Sequence, residues 1–128
     1  MIHGIGLDMV DIRRMQENID RFGARFAGKI LSANELRDYS MVEKPASFLA
    51  RRFAAKEALA KALGTGFSHG LTLKNISIIH GLEGQPSLSC AGKMLEVMAA
   101  RGIGNSHLTI ADEKNYACAC VILEKTPV

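Results

Sequence analysis

The 128-residue chain has no tryptophan and no apolar run approaching the roughly 20 residues that a membrane-crossing helix needs. Met1 to Leu7 is followed at once by Asp8, so no signal peptide is expected, and the chain reads as cytoplasmic. Cysteine occurs only at Cys90, Cys118 and Cys120. An odd count, with two of the three alternating along one stretch, suits neither a disulfide framework nor a zinc site. Their expected role is that of small buried hydrophobes. The four histidines lack the spacing of metal ligands. No Walker A loop or Rossmann fingerprint occurs, so neither a kinase nor a dehydrogenase is indicated. Internal repeats and low-complexity segments are also missing. The net charge of +3 is too small to imply nucleic acid.

What is present fits one domain, residues 1–128, large enough to form a core without disulfides. Residues 1–64 hold 11 Lys and Arg against 8 Asp and Glu, whereas residues 65–128 hold 5 of each. All the positive excess therefore lies in the first half, which points to a local basic face for an acidic partner.

Met1 to Asp8 reads as a strand that Asp8 ends, with Gly4 and Gly6 marking a bulge or a close approach by a ligand or another backbone. Asp11 can N-cap a helix whose apolar residues Ile12, Met15, Ile19, Phe22 and Phe26 recur at helical steps. Arg14, Asn18, Arg21 and Arg25 form a second row on it, with Arg13 alongside. That row is either a solvated face or a dock for an acidic helix. Ser32 to Glu35 matches a capping box opening a short helix to about Met41. Phe67 to Gly70 reads as loop, and Leu71 to Leu73 as a cover for something apolar. Ile76 to His80 and Ser87 to Cys90 flank a glycine- and proline-containing turn and form a hairpin. A helix follows over Lys93 to Arg101, then strands over Leu108 to Ala111 and Tyr116 to Leu123, with His107 at the start of the first. The expected fold is α+β: a mainly antiparallel sheet packed with a long central helix and shorter helices.

The long helix spans about residues 45–63, with Pro45 in its first turn and Gly64 as a left-handed cap. It is apolar on two sides, through Phe48, Ala55, Leu59 and Ala62 and through Leu49, Phe53 and Ala60, so it should be buried. Arg52 and Lys56 share one strip between these faces; Glu57 and Lys61 share another. The Glu57–Lys61 pair alone could be an ordinary surface i,i+4 pair. Together with Asp8 it suggests a magnesium site, because Mg2+ takes one or two protein carboxylates and fills its octahedron with water and phosphate oxygens. Lys61 and backbone N–H groups of the Gly64-Thr65-Gly66 turn would hold the phosphates. Such a constellation suits phosphate-transfer chemistry.

Gly4-Ile5-Gly6-Leu7-Asp8-Met9-Val10-Asp11-Ile12-Arg13 resembles the opening motif of the holo-acyl-carrier-protein synthases. Arg51 to Ala58 and Lys61 to Gly66 resemble their second motif. The resemblance continues through Ile30-Leu31-Ser32 and Gly84-Gln85-Pro86 to the closing strands. It implies a small phosphopantetheinyl transferase that moves the arm of coenzyme A onto a serine of apo-acyl carrier protein, in fatty acid biosynthesis. It further implies Mg2+ on Asp8 and Glu57. Arg52, Lys61, Gly64, Thr65 and Gly66 would lie along coenzyme A. Arg13, Arg14, Arg21 and Arg25 would meet the carrier protein, and a homotrimer would share its sites between subunits. Glu57 through a metal-bound water is the first choice of base, and Glu35 the second. Many relatives have Ser-x-Ser/Thr-His entering the last hairpin, with the histidine near the nucleotide. Thr109-Ile110-Ala111-Asp112 stands here instead. The rival readings are a non-enzymatic module binding an acidic protein through the arginine row, and a nucleotide enzyme with another acceptor.

Overall fold

The computed structural model describes residues 1–68 and 70–127. His69, inside the expected Phe67–Gly70 loop, lies outside the described residues. The elements run β1 (Ile2–Asp11), α1 (Ile12–Phe22), α2 (Ala24–Ile30), α3 (Ala33–Tyr39) and α4 (Pro45–Leu63). A short 3₁₀ turn at Leu73–Asn75 leads to β2 (Ile76–His80) and β3 (Pro86–Cys90). The chain closes with α5 (Gly92–Ala100), β4 (Ile103–Asp112) and β5 (Tyr116–Lys125). One antiparallel sheet has the order β1-β5-β4, and β2-β3 is a separate antiparallel hairpin. This is the expected α+β fold with a long central helix.

α4 is central because its side chains are small and apolar on nearly every side. Leu49, Ala50, Ala54, Ala55, Ala58, Leu59 and Leu63 are all buried. Each leucine so buried is worth about 1.5–3 kcal/mol over an exposed one. Pro45 opens the helix, and Gly64 at φ 89° closes it in the left-handed region where a side chain would be strained. Val10, Ala117, Ala119, Val121 and Leu123 are buried in the core that the sheet shares with α4.

Gly4 and Gly6 set the spacing between β1 and α4. A Cβ on Gly6 would lie 1.8 Å from the Ala58 carbonyl oxygen, and one on Gly4 would lie 2.0 Å from that of Ala62. The close approach expected at these glycines is therefore by the helix backbone. The opposite face of the sheet is open: Ile5, Leu7 and Met9 are exposed along β1. Leu7 pairs with Cys120 and Met9 with Cys118, so the open face is apolar across two strands.

Several expectations need correction. Asp8 does not end β1; pairing with β5 continues to Asp11 opposite Tyr116, and Asp8 lies within the strand. The first helix does not run through Phe26. Gly23, at φ 64°, donates its N–H to Ile19 and breaks it into α1 and α2. β4 begins at Ile103, so His107 lies mid-strand, where its Nε2 pairs with Glu124. None of the three cysteines is fully buried. Cys118 and Cys120 look onto the open sheet face because alternation gives the inner face to Ala117, Ala119 and Val121. Cys90 is half-buried, and desolvation pushes its thiol up to about 11.

Candidate functional site at the seam of β1 and α4

The glycine notch brings two backbones together and leaves three charged side chains facing each other at its edge. Asp8 stands two residues beyond Gly6 on β1. Glu57 and Lys61 stand one turn apart on α4. The Lys61 ammonium donates to Asp8 Oδ1 at 3.0 Å and to the Leu7 carbonyl at 2.9 Å. Asp8 keeps only 16% of its side chain exposed, whereas Lys61 keeps 54%. A screened contact of this kind is worth little in stability. Its value lies in what it assembles.

Glu57 is half-buried, and its carboxyl is held above the ordinary glutamate range. Desolvation is the main cause and the negative charge of Asp8 adds to it, while Lys61 opposes both. A pair of carboxylates facing each other across a seam also attracts a cation. Asp8, Arg14, Asn18, Phe53 and Glu57 line an open cleft of about 370 Å³ there. Among the described residues, no group of three or more His, Cys, Asp or Glu could hold a metal ion. Of the carboxylates lining this cleft Asp11 is held by Arg13, which leaves Asp8 and Glu57 as the pair an ion would meet. That donor set fits magnesium, which leaves its other positions to water and phosphate oxygens.

The Gly64-Thr65-Gly66 turn follows one helical turn beyond Lys61. The N–H groups of Gly64 and Gly66 both point back to the Ala60 carbonyl, at 3.0 and 3.4 Å. They close the helix, which corrects the expectation that the turn's glycines offer free donors. The cation at this turn that sequence reasoning missed is Arg101, whose Nη1 donates to the Leu63 carbonyl at 2.7 Å.

Arg52 is not brought to this seam. Its side chain is 7% exposed, lies 4.3 Å over the Phe48 ring, and has Nε 3.6 Å from Glu35 Oε2. Burial lowers the pKa of its guanidinium. The expected contact with coenzyme A is corrected accordingly, since on this chain Arg52 faces the core. Arg51 is the arginine that reaches open space. It donates to Ser47 at 2.8 Å, pairs with Asp112 at 3.5 Å, and with Lys44 and Lys114 borders a cleft of about 920 Å³.

Neither Lys56 nor Glu35 belongs to the seam. Lys56 is fully buried, and its ammonium donates to Glu35, to the Ile30 carbonyl at 2.7 Å and to the Leu73 carbonyl at 3.1 Å. Glu35 accepts from the Ser32 N–H at 3.0 Å, completing the capping box, and from the Ile78 N–H at 2.9 Å. With both oxygens engaged and 2% exposure, Glu35 cannot serve as a base. The sequence did carry a signal for Lys56: a lysine surrounded by buried alanines must find its partners inside the fold.

The arginine row is split. Arg13 forms a two-pronged pair with Asp11 and also donates to the Tyr116 hydroxyl. Arg14 lies on the Asp8–Glu57 cleft. Arg21 and Arg25 are on either side of the Gly23 break, and with Lys29, Phe22 and Phe26 they line a separate hollow of about 510 Å³. That hollow combines two aromatic rings with three basic side chains.

Comparison with known proteins places this geometry. The sequence profile of the 4′-phosphopantetheinyl transferase superfamily matches residues 4–121. This chain belongs to that superfamily. It is 48% identical to the holo-[acyl-carrier-protein] synthase of Halorhodospira halophila over 123 residues, 96% of this chain and 98% of that one. The crystal structure of the Neisseria meningitidis holo-[acyl-carrier-protein] synthase superposes with a TM-score of 0.93 at 39% identity, covering 98% of this chain and 100% of that one. A Bacillus anthracis synthase in complex with coenzyme A (3′,5′-ADP) superposes with a TM-score of 0.83 at 31% identity, covering 98% and 99%. No described helix is long and apolar enough to cross a membrane.

Proposed function

We propose that residues 1–128 form a single transferase domain that moves 4′-phosphopantetheine from coenzyme A to a serine of apo-acyl carrier protein. The observation that carries this reading is the seam itself: Asp8 and Glu57 share an edge with Lys61, in a chain of a family whose members include a coenzyme A complex. The serine Oγ forms a bond to the β-phosphorus, and the bond from that phosphorus to the bridging oxygen breaks. Adenosine 3′,5′-bisphosphate leaves with the electron pair. The serine proton passes through water to Glu57 as the base.

Asp8 and Glu57 would hold Mg2+, which when bound supplies charge neutralisation on the diphosphate. Lys61 has a mostly exposed stem, so its ammonium can exchange Asp8 for a phosphate oxygen. Arg101, beside the Gly64 and Gly66 turn, extends that basic track, and the Thr65 hydroxyl adds a neutral polar group to it. Arg51 borders the larger cleft for the nucleotide and takes the part first assigned to Arg52. The carrier protein meets Arg14, Arg21 and Arg25; Arg13 is committed to Asp11. Ile5, Leu7 and Met9 form an apolar face that a soluble monomer would leave wet, which supports the homotrimer. We place the enzyme in the cytoplasm, serving fatty acid synthesis.

The experiment is direct. The chain is incubated with coenzyme A, Mg2+ and apo-acyl carrier protein, and the carrier is weighed by mass spectrometry. A phosphopantetheine adduct that disappears when the metal is omitted is expected. Binding of the carrier without any adduct would favour the non-enzymatic module instead.

A further inference from the structure

α4 presents a physical problem that hydrophobic burial does not solve. Ala50, Ala54, Ala55, Ala58, Ala60 and Ala62 are buried around most of its circumference. A helix with one apolar stripe has one favourable rotation about its axis. A helix of buried alanines has several that bury nearly the same area. Yet the seam works in only one of them, because Glu57 and Lys61 must face Asp8. Directional contacts have to choose it.

Besides the Lys61 bonds at the seam itself and the Arg101 bond at the C-terminal end, two sets of contacts grip α4. The first is the Gly4 and Gly6 notch, which accepts small atoms and so limits distance more than rotation. The second lies on another flank. Lys56, adjacent to Glu57 in sequence and about 100° from it around the helix, sends its three N–H bonds to three different segments: the end of α2, the first turn of α3, and the 3₁₀ turn before β2. Glu35 passes the grip on to Ser32 and to Ile78 in the middle of β2. A buried ion pair gains little or nothing over apolar residues of the same shape, so net stability does not explain its presence. Its geometry does, because three bonds to fixed acceptors define an angle.

We propose that Lys56, through its buried contact with Glu35, is a positioning residue that sets the rotation of α4 and so presents Glu57 and Lys61 to Asp8. This rests on the reading of the seam as the reactive site. Arg52, one turn before Lys56, lies 3.6 Å from Glu35 with its buried Nε unpartnered in the structure. It is the nearest cation that can close on Glu35 if Lys56 is removed, and in doing so it would pull the helix to a different rotation.

The test separates positioning from stability. Lys56→Met alone leaves the Glu35 carboxylate with less compensation, and its melting temperature falls. Adding Glu35→Gln removes that buried charge while keeping the capping box, which accepts Gln. In the double variant the melting temperature recovers in part, since Gln keeps one acceptor oxygen but leaves the Ile78 N–H and the Arg52 guanidinium without theirs. Turnover per folded molecule stays lower by roughly 10- to 100-fold, the loss expected for a displacement of about 1 Å at a reacting centre. Turnover recovering together with the melting temperature would overturn the proposal. Lys56→Arg should restore part of the turnover. Nuclear Overhauser contacts between the Gly6 α-protons and the Ala58 and Ala62 methyls report the rotation without any assay. Unchanged contacts in both the single and double variants would also overturn it. Asp8→Asn is run in parallel: full turnover there would refute the seam as the site, while the Overhauser contacts still decide the role of Lys56.

Discussion

Replacing Gly6 by alanine should damage the site through packing alone. The added methyl would sit 1.8 Å from the Ala58 carbonyl oxygen, 2.7 Å from the Ala62 nitrogen and 2.8 Å from the Ala58 carbonyl carbon. All three are backbone atoms of a helix core and cannot swing aside. Relief to an ordinary contact of 3.4 Å requires β1 and α4 to part by roughly 1.6 Å, since real Cβ contacts are almost never closer than 3.0 Å. Overpacking of this kind costs about 1–3 kcal/mol. In a domain of this size that lowers the melting temperature by several degrees, to roughly 10 °C at the upper end. The same displacement stretches the 3.0 Å contact between Asp8 and Lys61 beyond hydrogen-bonding range. Turnover of the folded variant should then fall by about 10²-fold. Circular dichroism gives the melting temperature, and mass-spectrometric counting of modified carrier protein gives the turnover. Gly28→Ala is the control. Gly28 is helical with open space at its Cβ, so alanine there should stabilise by about 0.5–1 kcal/mol and leave turnover alone. A Gly6→Ala protein with wild-type turnover would refute the claim that this seam holds the reacting groups.

Three further outcomes follow from the same geometry. Arg14→Glu combined with Arg21→Glu should raise the KM for carrier protein far more than that for coenzyme A; equal increases would count against a docking face. Turnover should fall on the acid side as protons compete with the metal for the Glu57 carboxylate, whose proton affinity desolvation and the charge of Asp8 raise. The sign for stability is opposite. The folded state binds the Glu57 proton more tightly than the unfolded chain does, so ionised Glu57 weakens the fold at neutral pH and the penalty fades as pH falls through its raised value. Glu57→Gln should accordingly melt no lower than wild type at pH 7 while losing transfer, and a marked drop in melting temperature would contradict this.

Much of the fold was legible because local signals agreed with burial. Pro45 and Gly64 bracket α4 as expected, and Ser32 with Glu35 forms the anticipated capping box. The misreadings share a physical cause: each depended on tertiary pairing. Nothing local to Asp8 reveals that β5 extends the strand to Asp11. Gly23 sits within a continuing apolar period and looks like a tolerated helix glycine until its positive φ is seen. At the site, Asp8, Glu57 and Lys61 could be put together from the sequence because helical spacing and chemistry point the same way. Arg51 and Arg52 could not be told apart, since adjacent positions on a two-sided helix differ by 100° and only the neighbours decide which one is buried. Lys56 was left without a role in the sequence because its partners come from segments 17 to 26 residues away.

The central claim is that Asp8 and Glu57 together bind a divalent ion across the β1–α4 seam. Titrating Mn2+ as a spectroscopic substitute for Mg2+, with coenzyme A present, tests it by counting bound ions through electron paramagnetic resonance. One ion per chain is predicted for the wild type, with its loss in both Asp8→Asn and Glu57→Gln while circular dichroism stays unchanged. An ion bound with wild-type affinity in either folded variant would contradict the account.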